Sequence, residues 1–91
     1  MSELSKEAFI EIVTDIVTGF EDPAFQRAFA QAKADSDVPA MMRLPTEIQN
    51  RAFAKHGLDA ANGTVAFKAA GRQHASDPAV AELLMRMKAA L

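Results

Sequence analysis

The chain has 91 residues, 49% of them hydrophobic and 24% charged, with a formal net charge of -2 and no cysteine. This length makes one domain over residues 1–91, and the composition excludes wholesale disorder. Without cysteine, neither a disulfide, a thiolate metal site nor a cysteine nucleophile is possible.

The charge is unevenly placed. The first 22 residues hold Glu3, Glu7, Glu11, Asp15, Glu21 and Asp22 against Lys6, near -5, and the rest is near +3. That body is too weakly basic to imply nucleic acid. No apolar run approaches the roughly 20 residues needed to cross a bilayer, and the first residues are acidic where a secretory signal is basic. A cytoplasmic protein without a membrane role is expected.

In chain order, bulky residues at Phe9, Ile12, Val13, Ile16, Val17 and Phe20 recur at helical spacing. They predict a core-facing helix from about Glu3 to Phe20, with Glu7, Glu11, Asp15 and Thr18 turned outward. Later apolar faces are largely alanine, which buries too little area to hold a fold, so this helix must supply the bulk of the core.

Asp22-Pro23 reads as an N-cap followed by proline in the first turn of a second helix. Phe25, Ala28, Phe29 and Ala32 share its core face. A polar break at Asp35, Ser36 and Asp37 precedes a third helix capped by Asp37, in which Val38, Met41, Leu44, Ile48 and Ala52 keep helical spacing through Pro45. Proline disfavours helical geometry at Leu44 and removes a donor, so a break is expected there, with Thr46 capping a new helix and partnered by Gln49. That segment ends at His56-Gly57, with Gly57 in the left-handed C′ conformation and Leu58 folding back.

Asp59 to Gly63 reads as a turn, since Asn62-Gly63 tolerates positive φ. A weak fourth helix follows from Thr64 to about His74, with Phe67 standing apart from its small apolar face and Gly71 costing about 1 kcal/mol relative to alanine. Asp77-Pro78 opens a last helix lined by Val80, Leu83, Leu84, Met87 and Leu91. The whole predicts an all-α fold, a compact bundle of four to five short helices with the first central and the last closing the core. The tetrads Arg27-Ala28-Phe29-Ala30 and Arg51-Ala52-Phe53-Ala54 echo one another, which alone is too little for a repeat architecture.

Three constellations bear on chemistry. Asn62-Gly63-Thr64-Val65 resembles the middle of an EF-hand calcium loop, but this register puts Leu58, Ala60 and Ala69 at ligand positions, so the resemblance implies a degenerate loop that holds no metal. His56 with Asp59 and His74 with Asp77 repeat one spacing, and helix-end physics accounts for both pairs: histidine at a C-terminus, aspartate capping the next N-terminus. Ser2, Ser5, Ser36 and Ser76 all fall at helix starts or breaks, and no phosphate loop or nucleophile elbow is present. No catalytic, metal or cofactor residues are assigned.

What remains is surface. Met42-Arg43 and Met85-Arg86 pair an adaptable side chain with one enriched at interfaces, and Glu7, Glu11 and Asp15 form an acidic face. The expected function is a non-catalytic protein–protein interaction module, an adaptor or subunit, whose partner is another protein or a second copy in a homodimer. The alternatives are a helical module with an apolar small-ligand pocket, or a degenerate calcium-loop-like regulatory domain that no longer binds metal.

Overall fold

The structure, a computed structural model, describes residues 4–91. Five helices follow one another: α1 Lys6–Glu21, α2 Pro23–Ala34, α3 Val38–Lys55, α4 Ala60–Gln73 and α5 Pro78–Ala89. No strand occurs among the described residues, and the chain is a small all-α bundle. The expected start of the first helix at Glu3, like Ser2, lies outside the described residues. Within them α1 begins at Lys6, because the Ser5 hydroxyl caps it by accepting from the Ala8 amide at 3.1 Å.

The apolar residues of α1 form two adjoining stripes. Ile12, Ile16 and Phe20 enter one cluster with Phe25 and Phe29 of α2 and Ile48, Ala52 and Phe53 of α3. Phe9, Val13 and Val17 enter a second with Ala70 of α4 and Val80 of α5. One helix therefore serves two apolar clusters, and α1 packs against each of the other four. Phe20, Phe25 and Phe29 stack in sequence, with centroids 5.2 and 5.5 Å apart, an offset that adds to simple burial.

Aspartates punctuate the chain. Asp22, Asp37, Asp59 and Asp77 each accept from a backbone amide of the following helix, satisfying donors that the first turn leaves orphaned. The α3 end closes as expected: Gly57 has φ +77°, the Leu58 amide reaches the Phe53 carbonyl at 2.9 Å and the Gly57 amide the Ala54 carbonyl at 3.0 Å. The same bond pattern ends α2, where Ser36 takes the left-handed position with φ 53°.

Several expectations fail, the first two for related reasons. The third helix does not break at Pro45 but runs unbroken from Val38 to Lys55. An interior proline costs about 3 kcal/mol, and burying a side chain such as Ile48 or Phe53 contributes about 1.5–3 kcal/mol each. Met41 and Leu44 before the proline pack on the same cluster as Ile48, Ala52 and Phe53 after it, so burial outweighs the lost bond. Thr46 is accordingly no cap; its hydroxyl donates to the Met42 carbonyl one turn back at 2.8 Å.

The turn expected over Asp59–Gly63 is instead the start of α4, which begins at Ala60 with Asp59 as its cap. Gly63 is helical and buried, and a Cβ built there would lie 2.6 Å from the Phe53 ring. This glycine permits close approach, not positive φ. Phe67 does not stand apart either: it packs on both clusters, its ring 5.1 Å from Phe9 and 5.7 Å from Phe53. Ala28, placed on the core face of the second helix, is exposed.

The two helical glycines of α4 make opposite expectations. Gly63→Ala forces the Phe53 ring aside and should lower stability by about 1–3 kcal/mol. At Gly71 the nearest atom to a new Cβ is 3.8 Å away, an ordinary contact, so Gly71→Ala should raise stability by about 1 kcal/mol. Urea unfolding of the two variants checks both signs.

Candidate functional site

The structure scatters the sequence-predicted surface residues. Met42 is 69% exposed on α3 and Met85 68% exposed on α5, while Arg43 is exposed with no ion-pair partner among the described residues. Val38, one turn before Met42, is also exposed, so these two form a short apolar strip on the first turns of α3. Met41 and Met87, by contrast, are half-buried against the core.

Arg86 is committed within the fold, its Nη2 donating to Glu21 Oε1 at 2.8 Å. Asp15 is likewise committed: Lys55 Nζ lies 3.5 Å from Oδ1, and His56 Nε2 lies 3.2 Å from Oδ2. Of the acidic face, Glu7 and Glu11 remain exposed without an ion pair among the described residues. Two of the amino-terminal acids, Asp15 and Glu21, are thus paired with bases of the body.

Two concavities accompany these surfaces. The larger, about 620 Å³, is an open groove where α2 and α3 part over the C-terminal half of α1. Its floor is small or apolar: Gly19, Ala24, Phe25, Ala28, Leu44, Ile48 and Ala52. Its lining also carries charge: Asp22, Glu47 and Arg51, and the paired Asp15 and Lys55 that join α1 to α3 at one end. The floor is low because α1 and α3 touch through Gly19, where a Cβ would lie 2.7 Å from Ile48 Cγ2. Met42 and Arg43 are not among the lining residues, and helical spacing turns Met42 to the far side of α3 from Leu44 and Ile48.

The second concavity, a less open cleft of about 510 Å³, lies between Leu4, the α3–α4 turn and one face of α4. Leu4, Leu58, Val65, Ala66, Ala69 and Ala70 make it largely apolar, with Asp59, Asn62 and Gln73 as its polar groups. Asp59 is already occupied, accepting from the Asn62 amide at 2.7 Å and from Asn62 Nδ2 at 2.9 Å. Asn62 to Val65, the stretch similar to a calcium loop, is helical.

The histidine-aspartate pairs sit at helix junctions: His56 and His74 follow the last turns of α3 and α4, and Asp59 and Asp77 cap α4 and α5. Among the described residues no group of three or more histidine, aspartate or glutamate side chains is placed to share a metal ion. No described helix is long and apolar enough to cross a membrane. No family model matches the chain, and no curated protein or solved structure matches it either.

Sequence reasoning missed both concavities. The usable signal for the groove was Ala24 and Ala28, one turn apart beside the Phe25–Phe29 stripe, which flatten that side of α2. The cleft leaves no comparable trace, because it brings Leu4 against residues of the α3–α4 turn and α4 more than 50 positions away.

One electrostatic feature carries a direct expectation. Lys6 Nζ meets Asp77 Oδ2 at 3.0 Å. The hydrogen bond from Lys6, followed by the Val80 and Ala79 amides, holds the Asp77 carboxyl below its ordinary value of 3.8; the bond to Asp77 and its charge hold Lys6 above 10.5. The Asp77 contribution is therefore present above about pH 4 and lost as acid protonates the carboxylate through its lowered folded value, while the Lys6 contribution is lost in strong alkali. Lys6→Met should move the Asp77 titration upward but leave it below 3.8, since the amides remain. A carboxyl-detected NMR titration measures both.

Proposed function

We propose that this chain is a small non-catalytic interaction module that receives a helix of a partner protein in the groove between α1, α2 and α3. The single observation carrying this reading is the groove itself: an apolar floor in which Phe25, Leu44 and Ile48 alternate with glycine and alanines, bordered by charges of both signs. An amphipathic helix laid in such a groove buries its apolar stripe on Phe25, Leu44 and Ile48 and sets its polar edges against the rim. Small floor residues suit a helix better than a compact ligand, which needs enclosure.

Met42 and Arg43, on another side of α3, extend the surface open to a second contact and do not contribute to the groove. A homodimer is included in the reading, because the bound helix can come from a second copy.

The test uses Ala28→Arg, which places a long cation in the floor from an exposed position, with Met42→Gln as its counterpart outside the groove. Affinity capture and light scattering across a concentration series are run on both variants and the parent chain. The reading expects the parent and Met42→Gln to retain the same partner or the same dimer, and Ala28→Arg to lose it by tenfold or more, about 1.4 kcal/mol. Retention of every partner by Ala28→Arg sinks the groove reading.

A small apolar ligand is the second reading, supported by the more enclosed cleft at α4. It expects a fluorescent apolar probe to bind the parent chain and to be lost from Val65→Asp, whose site is exposed enough to accept the charge without unfolding.

A further inference from the structure

We infer that Asn62 is a site of spontaneous deamidation, a covalent change that the first turn of α4 holds in check. The inference is independent of the groove. It rests on what surrounds the Asn62-Gly63 bond.

Asparagine loses its amide when the backbone nitrogen of the next residue attacks its side-chain carbon, and a following glycine, having no Cβ, leaves that nitrogen unscreened. Asn62 is followed by Gly63, whereas the chain's other asparagine, Asn50, is followed by Arg51 inside α3. In the reaction the Gly63 nitrogen bonds to Asn62 Cγ, the Cγ–Nδ2 bond breaks, and Nδ2 departs as ammonia with the Gly63 proton. Water then opens the cyclic imide. Cleavage at Cγ leaves aspartate; cleavage at the main-chain carbonyl leaves isoaspartate, whose backbone runs through the side chain. Water is the one co-reactant, and Asn62 is exposed to it.

The folded helix engages both reacting groups. The Gly63 amide donates to the Asp59 carbonyl at 2.8 Å, which turns the attacking nitrogen along the helix axis. Asn62 Nδ2, the leaving group, donates to Asp59 Oδ2 at 2.9 Å, and the Asn62 amide donates to Asp59 Oδ1 at 2.7 Å. Ring closure also needs a ψ at Asn62 far from the helical value of about -42°. One aspartate thus holds the nucleophile, the leaving group and the start of the helix together.

That hold lies at a helix end. Asp59, Ala60, Ala61 and Asn62 are all exposed, and a terminal turn opens at a free energy well below that of global unfolding. Each opening that lifts Gly63 off the Phe53 ring frees its nitrogen to attack. The isoaspartate product lengthens the main chain ahead of Gly63 and displaces it from a contact too close for even a Cβ. The turn then cannot re-form, so the change is one-way. The aspartate product keeps the main chain, and a carboxylate suits the first turn of a helix.

The test ages the whole chain at mildly alkaline pH, folded and in guanidinium chloride, and follows amide loss and isoaspartate in its peptides. Asn62 should deamidate at least about tenfold faster unfolded than folded, with Asn50 slower than Asn62 in denaturant. Asp59→Ala, which removes the cap, should speed the folded reaction about fivefold, and Asp59→Ser, which returns a capping oxygen, should reverse most of that gain. Hydrogen exchange should show the first turn of α4 unprotected in the isoaspartate chain and protected in Asn62→Asp. Equal rates in the folded and unfolded parent overturn the inference, as do an Asp59→Ala chain that ages no faster or an isoaspartate chain that keeps the turn protected.

Discussion

The bundle depends on one constraint: α1 is apolar over two adjoining stripes, and neither can be left in water. Ile12, Ile16 and Phe20 draw in α2 and α3; Phe9, Val13 and Val17 draw in α4 and α5. The surrounding helices are rich in alanine and bury few large side chains each; α5 lies chiefly against α1, while α2, α3 and α4 pack on one another as well as on α1. A small chain with no disulfide relies on such packing to hold five helices together. The aspartate caps then set where each helix begins, and contribute direction more than burial.

This division of labour explains why surface and core differ so much in what they specify. Close packing needs particular shapes: Gly19 of α1 admits Ile48 of α3, and Gly63 of α4 admits the Phe53 ring of α3. The groove arises where α2 and α3 diverge over α1, and the cleft between Leu4, the α3–α4 turn and α4. Of the charged residues lining them, Asp15 and Lys55 are engaged in an ion pair and Asp22 and Asp59 in helix caps.

Much of the fold was legible because its signals are local. The stripe on α1, the Asp-Pro starts of α2 and α5 and the Gly57 stop each follow from a few neighbouring residues, and the structure has them where periodicity and capping place them. Pro45 and Gly63 were misread for one reason. Each is a helix breaker by local preference, and each is overruled by the burial of residues that only tertiary packing brings to the same cluster. The candidate site was less legible still. Exposure of Met42 and Met85 was foreseeable from helical phase, whereas the engagement of Asp15 by Lys55 and His56, and of Arg86 by Glu21, joins residues 40 or more positions apart that no sequence window links.

The central claim is that α1 stands between two apolar clusters, and the measurement that tests it most directly is an aromatic nuclear Overhauser spectrum of the intact chain. With ring centroids 5.1 Å apart for Phe9 and Phe67 and 5.2 Å apart for Phe20 and Phe25, the account predicts cross-peaks within both pairs and none from Phe9 to Phe25 or Phe29. Cross-peaks joining Phe9 to Phe25 or Phe29 would merge the two clusters into one and contradict the architecture described here.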